Sequence, residues 1–435
     1  MKIGIIGSGG AGMCAAWLLD EQHEVTVFEK KDYLGGNTHT VRVMLDGKEH
    51  LVDDGAAWFS PTIYPYLNAY MDLTGVEYDM APMTCTYHNR ITANSTCLPP
   101  VEWQTIYKMF SKRHVLPELL ALNKVLNTAT TLVKEKNTAV TYKQFMADLD
   151  VSAGIKETFL RPLFTALWGA PFSETDGFAI YPMVKYMTSH KPPPLRHYFM
   201  KVMRGGCENY IGTVRQKLGN TGFLLNTSVV AIALVADSNN VSVTTGDGNV
   251  FEFDHLIITS GAHDTRNFLK NSVGLEEATD VLSQFRYYRA LLATHSDVSL
   301  MPPDRSDWSL VNVSGNREHA FTTIWSGIKA NADLFCSYIQ EGESPRNLHH
   351  VSEWWLPIET PDFFRTQKKL EALQGKHNVW FAGDYTHDIG SHEDAIVSAV
   401  KAVERITPKA ERLSTLKNKV NGFSARTGVR EPELV

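Results

Sequence analysis

Short apolar runs and helix-like segments alternate at the beginning of the chain. Ile3, Ile5 and Ile6 belong to a run that is typical of a buried parallel strand. The segment 13–20 (MCAAWLLD) favours a helix, and 24–28 (EVTVF) favours a second strand. This strand–helix–strand order predicts a parallel sheet and therefore an α/β fold.

Larger blocks of strand and helix patterns follow. Residues 39–60 alternate like paired strands, whereas 103–134 carry apolar residues at helical spacing and predict a helical block. Residues 226–259 and 285–340 return to strand patterns. The last strand signal, 378–384 (NVWFAGD), ends in Gly-Asp and precedes a helix rich in small residues.

Gly7, Gly9 and Gly12 follow the first strand with the spacing G-x-G-x-x-G. In a dinucleotide-binding turn, the first glycine permits a tight turn, the second lets a pyrophosphate approach the backbone, and the third lets helix and strand pack closely. The N-terminus of the following helix would direct free N–H groups and a positive dipole end at the phosphates. Glu29 ends the second strand, where a carboxylate accepts hydrogen bonds from an adenosine ribose.

The context of the motif favours dinucleotide binding, because a strand precedes it, a helix follows it and an acid ends the next strand. The alternative is a Rossmann-like domain with an empty site, since glycine turns between strand and helix also occur without a ligand.

A Gly-Gly pair follows Glu29 closely, in the segment 34–38 (LGGNT). An acid followed by such a pair resembles the flavoprotein superfamily of monoamine oxidases and phytoene desaturases. That superfamily usually has Arg after the pair, where this chain has Asn37. The stretches LGGNTHTV and VDDGAAWFSPTIYPYL are similar to a bacterial branch described as predicted FAD/NAD-binding proteins.

The resemblance implies a Rossmann-like FAD-binding domain of the amine-oxidase type with an inserted α+β substrate domain. The FAD-binding domain is expected to be discontinuous, in residues 1–85, 205–270 and 375–408. Residues 86–204 and 271–374 would form the substrate domain. Residues 409–435 are polar and are expected to form a loosely held tail.

FAD is the cofactor that the resemblance implies, and both ends of the chain would build its site. A loop of small residues after Asp53 is expected to run beside the flavin, with a simple strand-to-helix turn as the alternative. Val229 would touch adenine through its backbone or be an ordinary sheet residue. The expected contacts are Gly7, Gly9, Ala11, Gly12, Glu29, Lys30, Gly35, Gly36, Asn37, Thr38, Gly55, Ala56, Ala57, Trp58, Val229, Gly383, Asp384, Asp394 and Ala395.

Three residues near the end of the chain are candidates for catalysis. Tyr385 follows the Gly-Asp pair, where amine oxidases and their relatives often place an aromatic ring near the flavin; the alternative is a tyrosine packed in the core. His392 and Glu393 lie at the N-terminus of the last predicted helix, where an acid also serves as a cap. An aromatic cage of Tyr385 with Trp325 or Trp354 would favour an amine substrate.

The composition is that of an ordinary globular enzyme, with 43% hydrophobic and 21% charged residues in a chain of 435. The net charge of −6 gives no reason to expect a nucleic acid partner. The sequence has no apolar run of about 18 residues, no metal-ligand spacing, no Ser-His-Asp order and no P-loop. Five scattered cysteines without a C-x-x-C predict a reduced, cytoplasmic protein.

The leading hypothesis is an FAD-dependent oxidase or dehydrogenase that transfers a hydride from an apolar, fatty-acyl-like substrate to flavin N5 and so desaturates a C–C bond. A lipid substrate would allow peripheral membrane contact through the helical insert. The alternatives are oxidation of an amine or cyclic imine, and a redox-neutral role in which FAD is structural. A second complete G-x-G-x-x-G for NADPH is missing, so O2 is the expected electron acceptor.

Overall fold

The computed structural model describes residues 1–55, 57–99, 106–108, 111–189, 198–236 and 238–427. Its strands are β1 (Lys2–Ile6), β2 (Glu24–Phe28), β3 (Thr40–Leu45), β4 (Lys48–Asp53), β5 (Trp58–Phe59), β6 (Tyr78–Pro82), β7 (Cys85–Asn89), β8 (Asn94–Leu98), β9 (Phe199–Met203), β10 (Thr221–Leu224), β11 (Val229–Leu234), β12 (Val241–Thr245), β13 (Val250–Phe253), β14 (His255–Ile258), β15 (Tyr287–His295), β16 (Val311–Gly315), β17 (Ala320–Ile324), β18 (Phe335–Ile339), β19 (Leu348–Pro357) and β20 (Val379–Phe381).

Helices cover both faces of the sheet that β1 belongs to. In chain order, the helices of the described residues are α1 (Gly10–Leu19), α2 (Pro65–Thr74), α3 (Val115–Lys134), α4 (Tyr142–Asp148), α5 (Ala153–Ile155), α6 (Arg161–Leu167), α7 (Ile180–Ser189), α8 (Gly206–Arg215), α9 (Ala262–Leu269), α10 (Glu276–Leu282), α11 (Pro361–Glu371), α12 (His392–Ile406) and α13 (Glu411–Thr427). A π-helical turn, Lys156–Leu160, joins α5 to α6.

A five-stranded parallel sheet in the order β10-β2-β1-β14-β20 forms the centre of the nucleotide-binding half. The three strands β1, β14 and β20 are largely apolar because both of their faces are buried. Ile3 and Ile5 face the core cluster that contains α1 and α12, whereas Ile6 faces the opposite cluster with α9 and α11. The carboxyl ends of all five strands lie at one edge, so the turns after β1, β2 and β20 meet there.

The second large sheet contains seven strands in the order β19-β15-β18-β17-β16-β7-β8. Only β16 and β7 pair in parallel, and the other neighbours are antiparallel. Apolar residues of α3, α4, α6 and α7 form one core cluster with β7 and β16. The expected combination of an α/β nucleotide-binding fold with an α+β insertion is therefore confirmed. The chosen boundaries between the two domains stay a prediction.

The C-terminal segment differs from the expected polar tail. Residues Glu411–Thr427 form a helix, and Leu413, Leu416 and Val420 are almost completely buried in the same core cluster as α1 and α12. Helical spacing of these apolar residues explains the difference, because a segment that is polar on average still buries one face. Residues 428–435 lie outside the described part.

The predicted helical block is helical in its described residues. Residues 106–108 are helical, and the long helix of the block runs from Val115 to Lys134; residues 100–105 and 109–110 lie outside the described ranges. No helix of the described ranges combines the length and the apolar composition that are needed to cross a bilayer.

Candidate functional site

The turn after β1 holds α1 tightly against the sheet. Gly7 has a φ of +102°, a region that favours glycine, and its N–H donates to the Phe28 carbonyl oxygen at 2.8 Å. A Cβ on Gly12 would lie 2.1 Å from the Gly7 carbonyl oxygen. Ala11 is buried between these glycines. Helix and strand therefore approach each other at a distance that Gly12 alone permits.

Gly9 and the Gly-Gly pair lie against each other. Gly9 and Gly35 form an isolated parallel bridge, and the Gly35 N–H donates to the Ser8 carbonyl oxygen at 3.1 Å. A Cβ on Gly36 would lie 3.2 Å from the Gly9 Cα. A Cβ on Gly9 would have more room, because the nearest atom that it would meet is the Gly35 carbonyl oxygen at 3.9 Å. Gly9 thus leaves space at the N-terminus of α1, where the first N–H groups lack partners within the helix.

Glu29 is buried at the end of β2 beside this turn. Its Oε2 accepts hydrogen bonds from the Ser8 N–H at 3.0 Å and the Ser8 hydroxyl at 2.5 Å. Its Oε1 accepts one from the Lys31 N–H at 2.9 Å. A carboxylate accepts about four hydrogen bonds, so the fixed carboxylate retains capacity for a ribose hydroxyl.

The loop with the Gly-Gly pair touches the loop after β4. A Cβ on Gly55 would lie 1.8 Å from the Asn37 carbonyl oxygen, so the two loops are in direct backbone contact. Thr38 is buried, and its N–H donates to the Gly35 carbonyl oxygen at 2.8 Å. The structure therefore brings together the two loops that the sequence assigned to the flavin.

The other contacts expected in this half of the site lie around those loops. Ala57 is buried, and Trp58 is half-buried at the start of β5. The expected contact Ala56 lies outside the described residues. Lys30 is exposed in a surface ion pair, and Val229 is half-buried at the start of β11.

β20 ends in a second turn that depends on glycine. Gly383 has a φ of +128°, and its N–H donates to the Ser398 hydroxyl of α12 at 2.8 Å. Burial raises the pKa of Asp384, one of whose oxygens accepts the N–H of the next residue at 2.8 Å. Asp394 caps its own helix, because its carboxylate accepts the Ser391 N–H at 2.9 Å.

His392 connects the two ends of the chain. His392 is the first residue of α12, and its Nε2 lies 2.8 Å from the position that a Cβ on Gly10 would take. Ala395, in the same helix, is half-buried. Burial lowers the pKa of His392 to about 4, so the imidazole is neutral at pH 7. Within the described ranges neither ring nitrogen has a hydrogen-bond partner. A buried imidazole without a partner is therefore available to a polar ligand at the start of α1.

Glu393 is a buried acid that binds the N-terminus of another helix. Its Oε1 accepts the Tyr66 N–H at 2.8 Å and its Oε2 accepts the Leu67 N–H at 2.7 Å. Both donors belong to the first turn of α2, which begins at Pro65. Glu393 therefore does cap a helix, as the alternative interpretation expected, but the capped helix is α2 and not α12, to which Glu393 belongs.

Tyr385 and the two tryptophans of the expected aromatic cage lie apart. Tyr385 is fully buried, with its ring centroid 5.3 Å from that of Phe285. The Trp325 and Trp308 ring centroids are 5.2 Å apart. Tyr385, Trp325 and Trp354 belong to three different core clusters. The cage is therefore wrong, and the contacts of Tyr385 are those of a residue that packs the core.

Glu359 is an acid near the site that the sequence analysis missed. It is 5% exposed, and its Oε2 accepts the Trp168 indole N–H at 3.0 Å. Its Oε1 lies 3.5 Å from the position of a Cβ on Gly390, in the loop between β20 and α12. In the sequence Glu359 precedes Thr360-Pro361 at a helix start, so it resembles an ordinary capping residue.

Half-buried aromatic rings lie next to Glu359. The Trp168 and Tyr186 rings are 5.8 Å apart in an edge-to-face arrangement, and the Tyr288 hydroxyl donates to the Trp168 carbonyl oxygen at 2.8 Å. These three rings, which we call the aromatic wall, come from the end of α6, from α7 and from β15. The site thus combines a glycine-lined nucleotide cradle with an apolar wall that contains one acid.

Comparison with known proteins assigns the family. A sequence profile described as flavin containing amine oxidoreductase matches residues 11–290. The chain belongs to this family. It is accordingly a flavin-dependent oxidoreductase, and the resemblance found in its sequence is confirmed. A search of curated proteins finds no match.

Solved structures share the fold of this chain. A CLA-producing fatty acid isomerase from P. acnes has a TM-score of 0.66 at 14% identity, with 93% of this chain and 98% of that chain covered. A putative protoporphyrinogen oxidase from Exiguobacterium sp. 255-15 has a TM-score of 0.64 at 14% identity, with the same coverage. Putrescine oxidase bound to putrescine has a TM-score of 0.62 at 14% identity, with 94% and 100% covered.

The residues of the cradle fit a flavin nucleotide. Gly9 leaves room beside a helix N-terminus, which is a favourable place for phosphates. The His392 ring supplies unpartnered buried nitrogens at the same place. Glu29 is fixed where the fingerprint places a ribose-binding acid.

Replacing Gly9 with Ala is expected to weaken flavin binding by about tenfold or more, a loss of about 1.4 kcal/mol. The added methyl group clashes with no protein atom but occupies the open side of Gly9. Flavin titration of the apoprotein, followed by visible absorbance, measures the affinity. The melting temperature of the apoprotein should stay unchanged, and an unaltered flavin affinity would show that no phosphate lies at this turn.

Proposed function

We propose that this chain binds FAD and desaturates a C–C bond in an apolar, fatty-acyl-like substrate, with O2 as the electron acceptor. The turns at Gly9 and Gly35 would hold the pyrophosphate, Glu29 the adenosine ribose, and the turn at Gly383 and Asp384 the ribityl chain or pyrophosphate. When bound, FAD accepts a hydride at N5. The protein's own residues then have to bind the substrate, exclude water and accept a proton.

The apolar surface beside the site carries the proposal. Half-buried apolar side chains from several segments pack on the core of the substrate domain and retain uncovered surface; among them are Trp58, Met83, Leu98, Trp168, Met187 and Tyr288. Such surfaces bind hydrophobic ligands, with a few polar groups to fix the orientation. One structure with this fold is a fatty acid isomerase, which agrees with an acyl substrate.

A surplus of carboxyl groups supports an amine as the second candidate substrate. Asp384, Asp388 and Asp394 lie close enough to Glu359 to raise its pKa, and Lys185 is paired with Asp388. Acidic groups in a poorly solvated site attract a cation. Putrescine oxidase shares the fold, so an amine remains the alternative that the experiment has to separate.

Anaerobic titration of the purified holoprotein separates the two candidates. Free fatty acids and acyl thioesters, some of them methyl-branched, form one panel, and polyamines with cyclic imines form the other. We expect acyl compounds to bleach the visible flavin absorption and to yield a product that has lost two hydrogen atoms. Bleaching by amines alone would favour the alternative, and failure of both panels would contradict both candidate substrates.

A further inference from the structure

Glu359 is a buried acid that the fold does not require. In the described part of the chain its carboxyl group makes one hydrogen bond, from the Trp168 indole N–H. The following helix, α11, has Thr360 at its N-cap, so Glu359 does not occupy that position. An amide oxygen would accept the indole N–H equally well. Burying a carboxyl group is costly, so its place beside the aromatic wall and next to the loop of the flavin site makes it a candidate for chemistry.

The backbone fixes Glu359 between the aromatic wall and the loop after β20. Its carbonyl oxygen accepts the Ala179 N–H at 2.8 Å, which anchors the residue at the start of α7. One carboxyl oxygen faces Trp168 and the other faces Gly390. The carboxyl group therefore lies between the apolar surface proposed to bind the substrate and the loop that joins the Gly-Asp turn to α12.

The charges around Glu359 favour a proton on it at neutral pH. Burial raises the pKa of Glu359 to about 8, and three carboxyl groups of the neighbouring loop and helix add to the effect. The titratable groups that face Glu359 are Asp384, Asp388, Asp394 and Tyr288. The three aspartates in turn face Lys185, Tyr181, His387, Lys401, Glu393, Tyr64, Tyr287 and Tyr385. A carboxylate with so high a pKa is a stronger base than an ordinary glutamate.

We propose that Glu359 is the proton acceptor of the oxidation. This inference rests on the proposed function. One substrate carbon loses its hydrogen as a hydride, with two electrons, to the flavin. The adjacent carbon, or the nitrogen of an amine substrate, loses a proton to the Glu359 carboxylate. The electrons of that second bond form the new double bond, so atoms and charges balance.

Glu359→Gln tests the role, because glutamine keeps an acceptor for Trp168 and cannot take the proton. The rate of anaerobic flavin reduction should fall by about 10²- to 10⁴-fold, the usual contribution of a positioned base. In the wild type that rate should rise with pH through about 8, the pKa of Glu359, whereas the variant's rate should be independent of pH there. Glu359→Asp should recover part of the rate and the pH dependence.

Glu118→Gln is the matched control. Glu118 is also buried with a pKa raised to about 7, and it accepts the Thr96 hydroxyl at 2.5 Å in the substrate domain. Its variant should keep the wild-type rate and pH profile. Equal rates and pH profiles for wild type and Glu359→Gln would overturn the proposal.

A titration without substrate provides a second readout. The visible spectrum of the wild-type holoprotein should shift with an apparent pKa near 8, and the shift should be missing in Glu359→Gln. The same shift in both proteins would exclude Glu359 as a titrating neighbour of the flavin and overturn the proposal. If neither substrate panel reduces the wild type, the proposed function fails on that result, and the spectral comparison still decides whether Glu359 titrates beside the cofactor.

Discussion

Replacing Gly12 with Ala is expected to destabilise the protein by about 3 kcal/mol and to abolish flavin binding. The new Cβ would lie 2.1 Å from the Gly7 carbonyl oxygen and 2.8 Å from the Thr259 hydroxyl. The first contact is with backbone of the turn itself, so it is relieved only if α1 moves away from the sheet. Thermal unfolding of the apoprotein and the flavin content after purification measure the two effects.

Gly212→Ala is the control for this substitution. Gly212 lies inside α8, and a Cβ there would meet no atom within 4 Å. The same change should therefore raise stability by about 0.5–1 kcal/mol through helix propensity. Gly9→Ala completes the comparison, because it should weaken flavin binding without lowering the stability of the apoprotein. A Gly12→Ala protein that melts like the wild type and retains flavin would show that α1 does not lie this close to the turn after β1.

The nucleotide-binding half was predictable because its signals are local in sequence. Gly7, Gly12 and Glu29 each have their position fixed by a turn and two strands that lie within the first 30 residues. Strands that are buried on both faces also give continuous apolar runs, as in β1 and β14. Such features specify their structure without information from the rest of the chain.

Features that depend on distant contacts were missed. Glu393 serves the N-terminus of α2, which lies more than 300 positions earlier in the chain. Glu359 meets Trp168 and Gly390, which belong to separate elements, and no spacing in the sequence relates them. Tyr385 follows the Gly-Asp turn, which the structure contains after β20 as expected, but its ring is buried in the core against Phe285. Which side of a loop a side chain occupies is decided by packing and not by local pattern.

Replacing Lys185 with Met is expected to destabilise the protein by about 3 kcal/mol at pH 8. Lys185 pairs with Asp388, whose second oxygen accepts the Tyr181 hydroxyl at 3.0 Å. Burial alone would raise the pKa of Asp388, but Lys185 outweighs it and holds the pKa below its usual value. Without the cation, Asp388 would be a buried charge facing the carboxyl group of Asp394. Methionine preserves most of the apolar stem of lysine, so the loss of stability reports the removed charge rather than lost packing.

The pH dependence and a second substitution distinguish this cause from a packing defect. Without Lys185 the folded-state pKa of Asp388 rises above its unfolded value, so the deficit should be largest above the raised pKa and should shrink as the pH falls and Asp388 binds a proton. Asp388→Asn in the same protein removes the unpaired charge and keeps an acceptor for Tyr181. The double variant should regain about 2 kcal/mol relative to Lys185→Met at pH 8. Urea unfolding at pH 6 and pH 8 measures the wild type, Lys185→Met and the double variant. A deficit that is independent of pH and unaffected by Asp388→Asn would show that the ion pair does not stabilise this loop.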